Sequence, residues 1–163
     1  MYHLAQINVA HMLAPLNDPL MAEFSNQLAR INTVADASPG FIWRLQSETG
    51  DATAVRAYGD ELILINISVW ESLDALTAYV YVSAHRPVMQ RRRQWFARYD
   101  GPYMALWWVP QGHNPSVAEA KERLDHLCAH GPTSFAFTFK QPFSAPDGTA
   151  TRIAPGIEAT CGV

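Results

Sequence analysis

Polar and apolar residues alternate most regularly between Leu62 and Trp70 (LILINISVW). Ile63, Ile65, Ile67 and Val69 fall on one face there, and Leu64, Asn66, Ser68 and Trp70 on the other, the period of a β-strand. Tyr2 to Ala10 (YHLAQINVA) interleaves Gln6 and Asn8 with Ile7 and Val9 and reads as the first strand. A helix is expected from Pro19 or Leu20, with Asp18 as its N-cap. Phe24, Leu28, Ile31 and Val34 recur at helical spacing along it, until Ser38-Pro39-Gly40 stops it. Phe41 to Leu45 is a second strand. Ser72 caps a second helix carrying Leu73, Leu76, Tyr79 and Val80. Pro87 removes a helical donor and pushes Arg86 out of the α region. The pattern therefore predicts a break near His85-Arg86 and a further helical piece to about Tyr99. Tyr103 to Val109 (YMALWWV) is a strand, and Ser116 with Glu119 is a capping-box pattern opening a third helix. That helix ends at Gly131-Pro132, and Ser134 to Phe139 reads as a last strand.

The order is β-α-β-β-α-β followed by α-β. The first six elements predict an α+β fold of the ferredoxin-like, split βαβ kind: an antiparallel sheet with helices on one face. The strand at 62–70 is apolar on both sides, so both sheet faces are expected to be buried, and a homodimer packed sheet to sheet would bury them. The expected organisation is one domain over residues 1–140 and an extended tail over 141–163.

Composition narrows the function classes. The 163 residues are 48% hydrophobic and 17% charged, enough to bury a core. Fifteen acidic against twelve basic residues give a net charge of −3, which does not suit a nucleic-acid binder. No apolar run is long enough to span a membrane, and the N-terminus lacks a secretory pattern, so a cytoplasmic protein is expected. Cys128 and Cys161 make neither a disulfide framework nor a metal quartet. His126 and His130 lie one helical turn apart without a carboxylate to complete a zinc motif, so no metal is expected. Phosphate-binding glycine loops and a Gly-x-Ser-x-Gly elbow are absent from the sequence.

Five segments carry a resemblance: HLAQINVA (His3 to Ala10), SPGFIWRL (Ser38 to Leu45), NISVWES (Asn66 to Ser72), LWWVPQGHNP (Leu106 to Pro115) and HGPTSFAFTF (His130 to Phe139). They resemble a bacterial family known only as a domain of unknown function, within the dimeric α/β-barrel superfamily of antibiotic-biosynthesis and heme-degrading monooxygenases. The resemblance implies a dimeric barrel and monooxygenase-like oxidation of an apolar organic substrate, with either no dedicated cofactor or heme. By likeness to the heme-degrading members, Asn8 matches a pocket asparagine on strand one, and Tyr79 stands at the place of a pocket tryptophan. His85 would be the axial ligand if heme binds.

The residues also carry a reading of their own. His85 at the helix break is the candidate base or proton donor, or else a brace for the kink. Gln6, Asn8, Asn66 and Ser68 form either a polar floor that orients a ligand oxygen or a self-satisfied network within the sheet. Trp43, Tyr79 and Trp108 are candidate substrate-binding aromatics, with core packing as the alternative. The arginines at 86, 91–93 and 98 read as a solvated face, paired with Glu23, Asp60 or Glu71. The expected partners are a second copy of the chain and a small organic ligand. The sequence thus leaves three functions in play: an oxidising enzyme, a heme-binding protein, and a non-catalytic ligand-binding or structural protein.

Overall fold

The computed structural model describes residues 1–47, 52–53, 58–82 and 91–148. Its core is a four-stranded antiparallel sheet built from β1 (Tyr2–His11), β2 (Phe41–Arg44), β3 (Ile63–Trp70) and β4 (Met104–Pro110), in the order β2-β3-β1-β4. With α1 (Ala22–Asp36) after β1 and α2 (Leu73–Val82) after β3, this is the ferredoxin-like α+β arrangement expected from the alternation. A third helix, α3 (Val117–His130), follows β4.

The capping residues act as their types predict. The Asp18 carboxylate accepts from the Leu20 N–H at 2.9 Å and opens a short 3-10 turn, Pro19–Met21, that leads into α1. The Ser72 hydroxyl accepts from the Ala75 N–H at 3.1 Å at the start of α2. Gly40 has φ +77°, and a Cβ there would stand 2.6 Å from that of Ala75, so only glycine lets α2 approach the start of β2.

The two sheet faces are covered from different directions. On one, Leu4, Trp70 and Leu106 pack with Leu73 and Leu76 of α2, and farther along Met12, Phe24 and Trp95 form a second apolar cluster. On the other, Ala5, Ile7, Val9, Ile65, Ile67, Val69 and Trp107 pack against Ala120, Leu124 and Leu127 of α3. The two-sided burial of β3 therefore arises within a single chain. The sequence took that burial as the sign of a partner's sheet. It did not anticipate that the helix after β4 crosses to the opposite face, because an amphipathic stripe shows that a helix has a buried side but not which surface it meets.

Three expected elements are shorter or looser than read. The break expected near His85-Arg86 lies outside the described residues; of the helical piece expected to about Tyr99, the described part closes in a 3-10 turn at Arg92–Gln94, and Phe96 bridges Met12. The last strand, expected over Ser134 to Phe139, contracts to two isolated bridges: Leu106 and Phe137 exchange backbone hydrogen bonds of 2.9 and 2.8 Å along the outer edge of β4, and Thr138 bridges Gln141. The capping box is half made: Ser116 accepts from the Glu119 N–H at 3.1 Å, but the Glu119 carboxylate turns away to the sheet. Residues 142–148 have no regular structure, yet Phe143 packs on Phe137, and Ala145 is buried. Among the described residues no helix is long and apolar enough to cross a membrane.

Candidate functional site

The antiparallel register sets Gln6 opposite Ser68 and Asn8 opposite Asn66 on β1 and β3. The side chains bond across the strands. Gln6 Nε2 donates to Ser68 Oγ at 3.1 Å and to Asn8 Oδ1 at 3.3 Å, and Asn66 Nδ2 donates to Asn8 Oδ1 at 3.2 Å. The indole N–H of Trp70 donates to Ser68 Oγ at 2.8 Å. This polar ladder lies on the face that α2 covers, the face of the Leu4–Trp70–Leu106 and Met12–Phe24–Trp95 clusters. It is graded in depth: Gln6 is 6% and Ser68 5% exposed, Asn8 is half-buried, and Asn66 is exposed.

Aromatic rings close the buried end. Trp70 stacks on Tyr79 of α2 with centroids 4.9 Å apart and meets Phe41 edge-on at 5.3 Å. Burial pushes the Tyr79 phenol up to about 12, an effect Arg44 opposes and Asp36 reinforces. Arg44 was not among the residues singled out in the sequence. It pairs with Ser68 in register and so shares the ladder's face, where it makes a two-pronged ion pair with Asp36 of α1 at 2.8 and 3.2 Å. A register shift between Phe41 and Trp43 puts it there.

The other expected site residues divide. Tyr79 is at the ladder's rim. Trp43 sits opposite Val69 and packs in the α3-side cluster, so it does not share the ladder's space. Trp108 is on the ladder's face, but its indole N–H donates to the Phe143 carbonyl at 2.7 Å, fastening the C-terminal segment. His85, with Arg86 and Pro87, lies outside the described residues. An open cleft of about 370 Å³ is lined by Ser38, Pro39, Gly40, Glu71, Ala75 and Ala78, and it shares only the Tyr79 wall with the ladder. None of its lining residues is a histidine, and the Trp70–Tyr79 contact already fills the aromatic wall.

The remaining candidates are structural in their contacts. Arg91 forks onto both oxygens of Glu23, with Nη2 to Oε2 at 2.6 Å, one of the pairings expected of a solvated basic face. His126 Nε2 lies 3.0 Å from the Thr133 hydroxyl. No group of three or more His, Cys, Asp or Glu placed to hold a metal ion occurs among the described residues. On the α3 side, Glu119 Oε1 accepts from the Trp107 indole at 3.0 Å while Oε2 meets His113 Nε2 at 2.7 Å. His113 thus braces the loop between β4 and α3.

A family profile described as "Domain of unknown function (DUF3291)" matches residues 3–153. No curated protein matches the chain in sequence. Among solved structures, SnoaB, a cofactor-independent oxygenase from Streptomyces nogalater, is 18% identical with a TM-score of 0.47, over 68% of this chain and 96% of that one. A protein of unknown function from Nitrosomonas europaea is 12% identical with a TM-score of 0.48, over 71% and 97%. A protein from Pseudomonas aeruginosa is 13% identical with a TM-score of 0.44, over 68% and 95%.

Proposed function

The chain belongs to the DUF3291 family, and on that premise we propose that it is a cytoplasmic small-molecule-binding protein that carries out monooxygenase-like oxidation of a largely apolar organic substrate. The observation that carries this reading is the polar ladder: three amides and a hydroxyl set into an apolar sheet face, with one end open to solvent. Polar groups cost free energy in such a place unless they are paired, and here the pairing is incomplete. Gln6, Asn8 and Asn66 orient a substrate oxygen, and the Trp70–Tyr79 wall supports its apolar body. His85 takes the proton from an acidified C–H. Insertion of oxygen into a methylene, CH2 + O2 → C=O + H2O, balances with all electrons supplied by the substrate and needs no dedicated cofactor.

The test is dioxygen uptake with aromatic methylene compounds whose C–H is acidified by a neighbouring carbonyl. We expect one O2 consumed per ketone formed, and loss of uptake in both His85→Ala and Asn8→Ala with the fold retained. If neither variant changes uptake or binding, the reading fails.

A non-catalytic, structural ladder is the second reading. It is favoured by the unbroken run of bonds from the Trp70 indole through Ser68, Gln6 and Asn8 to Asn66, which ties β1 to β3 without any ligand.

A further inference from the structure

The cleft beside α2 is bordered by a carboxylate that the fold does not use. Gly40, in the turn between α1 and β2, lies so close to α2 that a Cβ there would stand 2.6 Å from that of Ala75 and 3.5 Å from Glu71 Oε2. The Glu71 side chain is therefore folded back towards Gly40, and both residues line the cleft. Its backbone is fixed there as well, since the Glu71 N–H donates to the Gly40 carbonyl at 2.7 Å. Among the described residues no cation pairs with Glu71, and no Lys, Arg or His lines the cleft. The space of about 370 Å³ exists because its other walls are small: Gly40 on one side, and Ala75 and Ala78, one turn apart, on α2. That is the size of a small-molecule site.

The remaining polar features of the cleft have the same sign. Ser38 gives its hydroxyl proton to the Val34 carbonyl at 2.6 Å, so its oxygen faces other groups as an acceptor. Ser38 also follows directly on the C-terminus of α1, the negative pole of a 15-residue helix with no basic residue in its last turn. Arg44 neutralises Asp36 at that end through two hydrogen bonds, which leaves the pole itself uncompensated by that pair. A carboxylate, an acceptor oxygen and a helix C-terminus favour a cation that donates hydrogen bonds, and the alanine and glycine walls favour an apolar body behind it. We infer that this cleft binds a small organic ammonium ion, a primary amine attached to a compact apolar group. The cleft shares only the Tyr79 wall with the polar ladder, so the site stands whether or not the ladder holds a ligand.

The experiment is titration calorimetry of the full chain at low ionic strength with three probes of matched size: 2-phenylethylamine, 2-phenylethanol and 3-phenylpropionate. An open carboxylate and a helix pole together are modest attractions, so the native protein is expected to bind the amine at least fivefold more tightly than the alcohol, and the carboxylate more weakly than either. Glu71→Gln keeps the shape and removes the charge; it should weaken the amine at least threefold and leave the alcohol unchanged. Glu71→Lys should turn the order round in favour of 3-phenylpropionate, a gain that unfolding cannot mimic. Ala78→Leu, at an exposed helix position, fills the cleft and should weaken amine and alcohol alike at an unchanged thermal midpoint. Nα-acetyl-lysine methylamide, standing in for a lysine of another protein, should bind more weakly than 2-phenylethylamine. Tighter binding of the lysine analogue, no preference for the amine over the alcohol, an amine affinity unmoved by Glu71→Gln or Ala78→Leu, or no binding of any probe each overturns the inference.

Discussion

Trp107 and Glu119 meet at the boundary between the sheet and α3, where the indole N–H donates to Oε1 at 3.0 Å. Glu119, whose backbone N–H is held by the Ser116 cap, thus fastens the start of the helix to β4 through its carboxylate, and Arg123 one turn on, its guanidinium pushed down by desolvation, lies over the Phe135 ring at 3.7 Å.

Trp107→Phe keeps the ring packing and removes only that bond. We expect a loss of about 1 kcal/mol, read as a fall in thermal midpoint of roughly 2–4 °C for a chain of this size.

Filling of the second sheet face by α3 removes the apolar reason for a sheet-to-sheet partner. We expect a monomer by sedimentation at micromolar concentration. A stable dimer would show that an interface exists other than the one the sequence suggested.

Ser68 accepts from two buried donors, Gln6 Nε2 and Trp70 Nε1. Ser68→Ala strands both and is expected to cost about 1–3 kcal/mol. A substitution at the exposed end, Asn66→Ala, should cost well under half of that. Equal costs in chemical denaturation would contradict the graded burial of the ladder.

Tyr79 gives the protein an alkaline limit. Its folded-state value of about 12 lies above the ordinary 10, so the folded chain holds the phenolic proton more tightly than the unfolded one. The corresponding stability is complete below pH 10 and is lost as pH rises towards 12, by up to about 3 kcal/mol. Stability measured against pH in Tyr79→Phe should fall less steeply over that window. Part of the fall should persist, because burial also raises Tyr58 to about 12.

Removing everything after Gln141 is expected to lower the thermal midpoint. It takes away the acceptor of the Trp108 indole N–H and the ring that Phe143 lays against Phe137. An unchanged midpoint would mean that this segment only rests on the surface.

The sheet was legible because alternation over Leu62 to Trp70 and the Asn and Gln positions of β1 fix which side chains share a face. That Gln6 faces Ser68 and Asn8 faces Asn66 follows from the same period once the two strands are antiparallel neighbours. Which faces Trp43 and Arg44 take was not legible for one reason: a backbone irregularity in a four-residue strand leaves no trace in a periodicity. The docking face of α3 was equally invisible, since Ala120, Leu124 and Leu127 would make the same stripe against any apolar surface.

The register shift in β2 selects which side chain the sheet lends to the ladder. Phe41 pairs with Trp70 and Trp43 with Val69, so Ile42 is the residue in excess. Excising it would leave Trp43 opposite Val69 and Arg44 opposite Ser68 and merely straighten the strand, whereas pairing Ile42 in regular register would set Trp43 opposite Ser68 and Arg44 opposite Ile67. One surplus residue therefore decides, with no change of side chain, that a guanidinium and not an indole stands on the ladder.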